Sequence, residues 1–271
     1  MTPKKNPAFT KSLALCCIAN RVKKMRMFSL TMLSVCFLIS GCDKKENDDD
    51  QYGTNCKIIK NTINNSYEAS VDYDLNNRII EMNYTGSGNP AAKMTVVYNN
   101  NLAILDYYIG GALTMTTEAT LNSAGNIIET NTTDSAGNDV INEFFTYNSD
   151  NKIIELRGTD FSSNITDTLT IEWNAGNATK ILRTQGTILC DYYTGQTSSL
   201  KYGYGNVVLL IDRLDMDIAT FYSNDFIKTY DINGVNPIHF SYEFNSDGKA
   251  NKITTSSGGN SSTTVVKYEC E

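Results

Sequence analysis

Tyr73-Asp74-Leu75-Asn76-Asn77-Arg78-Ile79-Ile80-Glu81 decides the fold, because the phrase returns. It recurs as Tyr98-Asn99-Asn100-Asn101-Leu102-Ala103-Ile104, Leu121-Asn122-Ser123-Ala124-Gly125-Asn126-Ile127-Ile128-Glu129 and Tyr147-Asn148-Ser149-Asp150-Asn151-Lys152-Ile153-Ile154-Glu155. Trp173-Asn174-Ala175-Gly176-Asn177-Ala178 and Phe244-Asn245-Ser246-Asp247-Gly248-Lys249 complete the set. The first five copies start 25, 23, 26 and 26 residues apart, the regularity of a structural repeat. Each copy is an aromatic or apolar residue, a turn of Asn, Asp and Gly, and a restart that is mostly β-branched. Asn, Asp and Gly accept positive φ and close Asx-type turns, so Asn76-Asn77, Ala124-Gly125, Asp150-Asn151 and Asp247-Gly248 read as hairpin tips.

Outward from these tips the chain alternates with period 2. Tyr67, Ala69, Val71 and Tyr73 share one strand face, with Glu68, Ser70 and Asp72 on the other. Ile165, Leu169, Ile171 and Trp173 oppose Thr166, Thr168, Thr170 and Glu172, and Phe240, Tyr242 and Phe244 oppose Ser241 and Glu243. One face is apolar and one is wet, as in an antiparallel meander. Looser connectors, such as Thr85 to Pro90, Gly110-Gly111, Thr132 to Asn138 and Gly158 to Asn164, separate the phrases. The expected fold is therefore all-β, an antiparallel meander of about 10–14 strands built from hairpin repeats, curled or closed into a barrel-like sheet. The repeat breaks between Ile188 and Pro237, where Val207, Leu210, Ile211 and Leu214 fall at helical spacing and predict a short helix over 207–216.

Composition narrows the function. The chain has 271 residues, 23 Lys plus Arg, 30 Asp plus Glu and one His. An acidic chain with no basic cluster in its body does not bind nucleic acid by charge, and one His without a Cys/His cluster argues against a zinc enzyme. No cofactor and no metal is expected. No apolar run reaches the length of a membrane-spanning helix.

All seven basic residues before position 42 stand without an acid, and an apolar stretch runs from Met27 to Ile39. Residues 1–41 read as a secretion signal, with the functional start at Met25 or Met27. Leu38-Ile39-Ser40-Gly41-Cys42 resembles the lipobox of bacterial lipoproteins, which implies lipidation of Cys42 and a lipid anchor in the membrane. Loss of the signal leaves 16 basic and 30 acidic residues, a net of −14. Residues 42–56 form a polar, acid-rich tether, and residues 57–271 a single repeat-built domain. The tract Asp43 to Asp50 resembles the acidic export tracts of surface-exposed lipoproteins of the Bacteroidota type, so the expected location is the outer membrane, lipid-anchored and surface-exposed, with a periplasm-facing anchor as the alternative.

The phrase Tyr-Asp/Asn-x-x-Gly/Asn-Lys/Arg-Ile resembles the YD (Rhs-type) repeat. With the lipobox and the late Asn236-Pro237 turn, residues 57 to 271 are similar to a domain-of-unknown-function family of Bacteroidota lipoproteins described as having a porin-like β fold. Leu121 and Trp173 depart from the leading Tyr, and Thr179 from the usual Ile. The resemblance brings no activity and no catalytic residues. A membrane-spanning barrel is not the expectation, because the apolar face has to supply the domain's only core.

Among candidate sites, His239 lacks any nucleophile-elbow pattern and reads as an ordinary strand histidine. Cys56, Cys190 and Cys270 remain beyond the anchor; closure of the sheet favours the pair Cys56 and Cys270, with free buried thiols as the alternative. Asp212, Asp215, Asp217 and Asp225 match no calcium loop and read as a solvated face. Tyr107, Tyr108, Tyr192 and Tyr193 are the candidate ligand-binding rings, since exposed Tyr can stack on sugars. Asp134-Ser135-Ala136 resembles the O-glycosylation sequon of this bacterial group, making Ser135 a candidate; Thr168, in a second such motif, lies in a strand and is expected to be less accessible. The reading is a non-catalytic binding or scaffold module for a glycan or a surface protein; the alternative is an extracellular polymer hydrolase that uses a carboxylate pair.

Overall fold

The computed structural model describes residues 56–86, 90–184, 186–198, 223–235 and 237–270. The signal segment, Cys42, the tether before Cys56 and the helix expected over 207–216 lie outside the described residues. Sixteen strands follow one another: β1 (Cys56–Ile63), β2 (Tyr67–Tyr73), β3 (Ile79–Gly86), β4 (Ala92–Asn99), β5 (Leu102–Ile109), β6 (Ala112–Leu121), β7 (Ile127–Asp134) and β8 (Asp139–Tyr147). Then come β9 (Ile153–Asp160), β10 (Ile165–Asn174), β11 (Asn177–Arg183), β12 (Gly186–Thr197), β13 (Asp225–Ile232), β14 (Ile238–Phe244), β15 (Ala250–Ser257) and β16 (Asn260–Cys270). Each pairs antiparallel with its sequence neighbours, and β1 pairs with β16, so the sheet closes into a barrel.

The meander and its closure match the sequence expectation, while the strand count exceeds it. The interval from Ile188 to Pro237 accounts for part of the difference: β12 and β13 occupy its ends and pair from Ile188↔Ile232 onward. Thr132 to Asn138 is also tighter than it reads. Asp134 there caps a turn of the repeat type, with its Oδ1 accepting from the N–H groups of Ala136 and Asn138, both at 2.9 Å.

The buried face is mainly apolar, with Asn61, Thr117, Thr130, Thr132 and Glu143 as polar exceptions. Ile58, Met82, Met94, Ile127, Ile153, Ile181, Ile188 and Ile227 are 0–1% exposed. The wet face carries Glu68, Asp72, Thr168, Thr170, Glu172, Ser241, Glu243 and Ser256, and Lys60–Glu68, Lys93–Glu81, Lys180–Glu172, Lys228–Asp191 and Lys252–Glu243 pair across its strands. Such exposed pairs contribute at most about 1 kcal/mol each, but they mark the face that water wets. A lipid-spanning barrel needs the reverse, an apolar outer band around a polar, wet lumen.

Bulges explain the doubled isoleucine of the repeat. Tyr73 pairs with Ile79 but Asp72 pairs with Glu81, so Ile80 is the extra residue; Leu121 with Ile127 and Tyr147 with Ile153 repeat the shift. The extra residue turns outward, leaving Ile79 and Ile127 buried while Ile80 is 37% and Ile128 38% exposed.

Candidate functional site

The turns of the recurring phrase gather at one end of the barrel, which also carries the first residue of β1 and the last of β16. Four of them share one design. Oδ1 of Asp74, Asn122, Asn148 and Asn245 accepts the N–H of the residues two and four further on, at 2.8–3.0 Å. The residue three after each cap holds positive φ: Asn77 at 60°, Gly125 at 79°, Asn151 at 55° and Gly248 at 73°. That is a type I turn closed by a left-handed residue, which the Asn/Gly choice makes cheap. Ala175-Gly176 instead forms a two-residue turn with both φ positive, the I′ geometry.

Above the turns runs a girdle of rings. Tyr73 donates its hydroxyl to the Ile58 carbonyl at 2.8 Å, Tyr147 to Ile127 at 2.7 Å, Tyr242 to Ile227 at 2.9 Å and Tyr268 to Ala250 at 2.7 Å. Trp173, which breaks the Tyr consensus, keeps the function: its Nε1–H donates to the Ile153 carbonyl at 2.7 Å. Cations cover several rings, with Arg78 4.1 Å from the Tyr98 centroid, Lys152 4.9 Å from Trp173 and Lys249 5.9 Å from Tyr268. These five donors each bond a carbonyl of the preceding strand, and a turn cation from the preceding copy stacks on the next copy's ring at Tyr98 and Trp173. Burial pushes the phenol pKa of Tyr98, Tyr147, Tyr192 and Tyr242 well above the ordinary tyrosine value.

The structure separates the four candidate tyrosines. Tyr107 and Tyr108 lie on β5, towards the end away from the phrase turns; Tyr192 and Tyr193 lie on β12, seven strands around the barrel and towards the opposite end. Tyr192 and Tyr193 are not free platform rings. Tyr192 donates to the Ala178 carbonyl at 2.7 Å and accepts from Ser223 Oγ at 2.8 Å, while the Ala178 N–H donates to Ser223 Oγ at 3.0 Å. Asn177 and Asp225 exchange two further bonds, so this cluster fastens β13 to β11 across the end of the barrel. Tyr193 donates to the Phe240 carbonyl at 2.9 Å and meets Tyr242 edge-on at 6.1 Å. The consecutive pair reads as a surface motif, but between Tyr192 and Thr197 the register shifts with the extra residues on β12, which takes Tyr193 out of the alternation. Tyr108 keeps the wet-face position, between Lys93 and Leu113 in register, with its hydroxyl 3.5 Å from Asp106 Oδ2.

Rings that the sequence reading passed over are more open. Phe144, between Glu129 and Arg157 in register, is 50% exposed, and Phe161 at the β9–β10 loop is 48% exposed. Phe144 was legible from its parity with Asn142 and Thr146; Phe161 sits in a loop, where alternation gives no signal.

The remaining candidates are placed as follows. His239 is exposed while Phe240 is buried, and it borders a shallow groove of about 370 Å³ with Pro237, Ser257, Gly258 and Asn260. Cys190 is half-buried, and burial pushes its thiol up to about 12, a protonated, unreactive state at neutral pH. Ser135 is exposed at a hairpin tip. Thr168 lies in β10 as expected but is exposed, against the expected low accessibility. Asp225 is occupied by Asn177, and Asp212, Asp215 and Asp217 lie outside the described residues. The backbone register sets Cys56 directly opposite Cys270.

Among the described residues no three His, Cys, Asp or Glu side chains gather as a metal site. Five carboxylates of the described residues, Asp74, Glu81, Asp134, Asp160 and Asp167, are held below the ordinary carboxylate range. Burial acts to raise Asp74, Asp160 and Asp167, but turn N–H groups and neighbouring side chains outweigh it; in Asp134 the Asn138 side chain leads the lowering, and in Glu81 the Lys93 ammonium does. None of these five is the raised acid that a glycosidase pair requires.

No protein-family model matches this chain, and no curated protein does. The solved structures do contain a likeness. The chain is similar to a porin-like protein from Bacteroides uniformis ATCC 8492, at 13% identity and a TM-score of 0.56, over 78% of this chain and 98% of that one. At that identity the likeness concerns the fold, a long antiparallel meander. A structure of TcdB2-TccC3-TEV aligns at 9% identity and a TM-score of 0.22 over 73% of this chain and 14% of that one, too low to carry an argument.

Proposed function

We propose that this chain is a non-catalytic scaffold of the outer membrane, held there by a lipid on Cys42, whose barrel stands in water and offers its wall or loops to a glycan or a protein partner. The observation that carries the reading is the polarity of the wall. The inward face is buried and largely apolar, its polar residues on β6–β8 (Thr117, Thr130, Thr132 and Glu143) hydrogen-bonded to one another, and the outward face is charged and ion-paired. Such a barrel neither conducts through its centre nor sits in lipid by its strands, so its membrane attachment has to come from elsewhere, and the lipobox supplies it. For a glycan, Tyr108 and Phe144 are better placed than Tyr192 and Tyr193, whose hydroxyls are engaged in the barrel.

The test is fractionation of cells that express the full chain and its Cys42→Ala variant. The expected result is wild-type protein in the outer-membrane fraction and the variant in the aqueous fraction without detergent, both with the same β circular dichroism. A folded variant that stays with the membrane contradicts the reading.

A further inference from the structure

The β1–β16 seam differs from every other junction in the barrel. The other neighbouring strands follow one another in the chain and are joined by their own connections. The seam joins the first strand to the last, so its closure is the least local contact in the fold and the most costly in chain entropy. At its outermost position, ahead of Lys57↔Glu269 and Ile58↔Tyr268, the register pairs Cys56 with Cys270.

We infer that Cys56 and Cys270 form a disulfide that locks this seam. Residues directly opposite in an antiparallel ladder share one face of the sheet, with Cα atoms about 4.5–5.5 Å apart, inside the about 4.4–6.8 Å range of disulfides. The two cysteines are 214 positions apart, so a link between them closes nearly the whole barrel into one covalent loop. It also sits where load arrives: a pull on the chain before Cys56 first meets the Cys56↔Cys270 pair. Without the bond, that pull peels β1 from β16 one hydrogen bond at a time; with it, β16 shares the load.

The oxidation needs a protein disulfide of the thiol–disulfide oxidoreductase class. One cysteine thiolate attacks that disulfide and forms a mixed disulfide; the other displaces the carrier's sulfur. Cys56 and Cys270 together lose two protons and two electrons, and the carrier leaves as a dithiol. The inference rests on the proposed export only for the supply of this oxidant.

The experiment is peptide mapping of the full chain, purified from an exporting host, alkylated in denaturant without reductant and digested with trypsin. The expected result is one linked species joining the peptides that contain Cys56 (46–57) and Cys270 (268–271), lost on prior reduction, with Cys190 alkylated. Cys190→Ser keeps the link, and Cys270→Ser leaves Cys56 alkylated. If both cysteines are alkylated in cells, the purified full chain is held in a glutathione redox buffer. A link that forms there upholds the seam geometry and counts against export. Failure to form it while circular dichroism shows the β fold overturns the inference.

Discussion

Tyr147→Phe tests whether the girdle holds the barrel together. The substitution keeps the ring and removes one hydroxyl, which donates to the Ile127 carbonyl at 2.7 Å in a half-buried setting. A hydrogen bond of this kind contributes about 1 kcal/mol net, and the abandoned carbonyl adds up to about another 1 kcal/mol because little water reaches it. A total of about 1–2 kcal/mol, at about 2–4 °C per kcal/mol for a domain of this size, lowers Tm by about 2–8 °C. The control is Tyr108→Phe, whose hydroxyl sits 3.5 Å from Asp106 on the wet face and is expected to change stability by under about 0.5 kcal/mol. Thermal and urea denaturation followed by circular dichroism read both variants. Equal stability of Tyr147→Phe and wild type, or a larger loss in Tyr108→Phe, refutes the assignment of the ring hydroxyls as structural bonds.

Ile79→Ala is expected to cost about 2–5 kcal/mol and Ile80→Ala under about 1 kcal/mol, because the bulge buries the first and exposes the second; urea midpoints separate them. Gly125→Ala, at a φ of 79°, is expected to cost about 1 kcal/mol, while Asn77→Gly is near neutral, read the same way. At low pH the carboxylates of Asp74, Asp134, Asp160 and Asp167, depressed in the folded state, contribute stability above their unfolded value near pH 4; it is lost as pH falls through their folded values. At high pH the raised phenols of Tyr98, Tyr147 and Tyr242 keep their protons while the unfolded chain loses them, so Tm falls above about pH 10; a flat Tm from pH 9 to 12 contradicts this.

The meander and its faces were legible in the sequence because a residue's side of a strand is set by parity, and the turn phrases punctuate it. Parity failed where a bulge intervened. At Ile79-Ile80 two identical residues take opposite fates, and just past Tyr192 a register shift takes Tyr193 out of the alternation, so that both rings bond strand carbonyls; alternation carries no mark of either. The strand count fell short because β12 and β13 flank a segment without the phrase, and because Asp134 builds the repeat turn at the other end of the barrel. Trp173 shows the opposite case. It departs from the consensus, yet an indole N–H supplies the donor that the position requires. Candidate binding rings were the least legible, since a tyrosine that anchors a strand and one that greets a ligand share composition and differ only in where the hydroxyl points.

The most direct test of the central claim is hydroxyl-radical footprinting of the full-length protein, read by peptide mass spectrometry. Met82 and Met94 are fully buried on the inward face of the wall, while Leu75 and Phe144 are exposed. Methionine is readily oxidised wherever water and oxidant reach it. A dry interior predicts that Met82 and Met94 stay unmodified until the barrel unfolds while Leu75 and Phe144 react in the folded state. Rapid oxidation of Met82 and Met94 in folded protein would reveal a water-filled lumen and contradict the account.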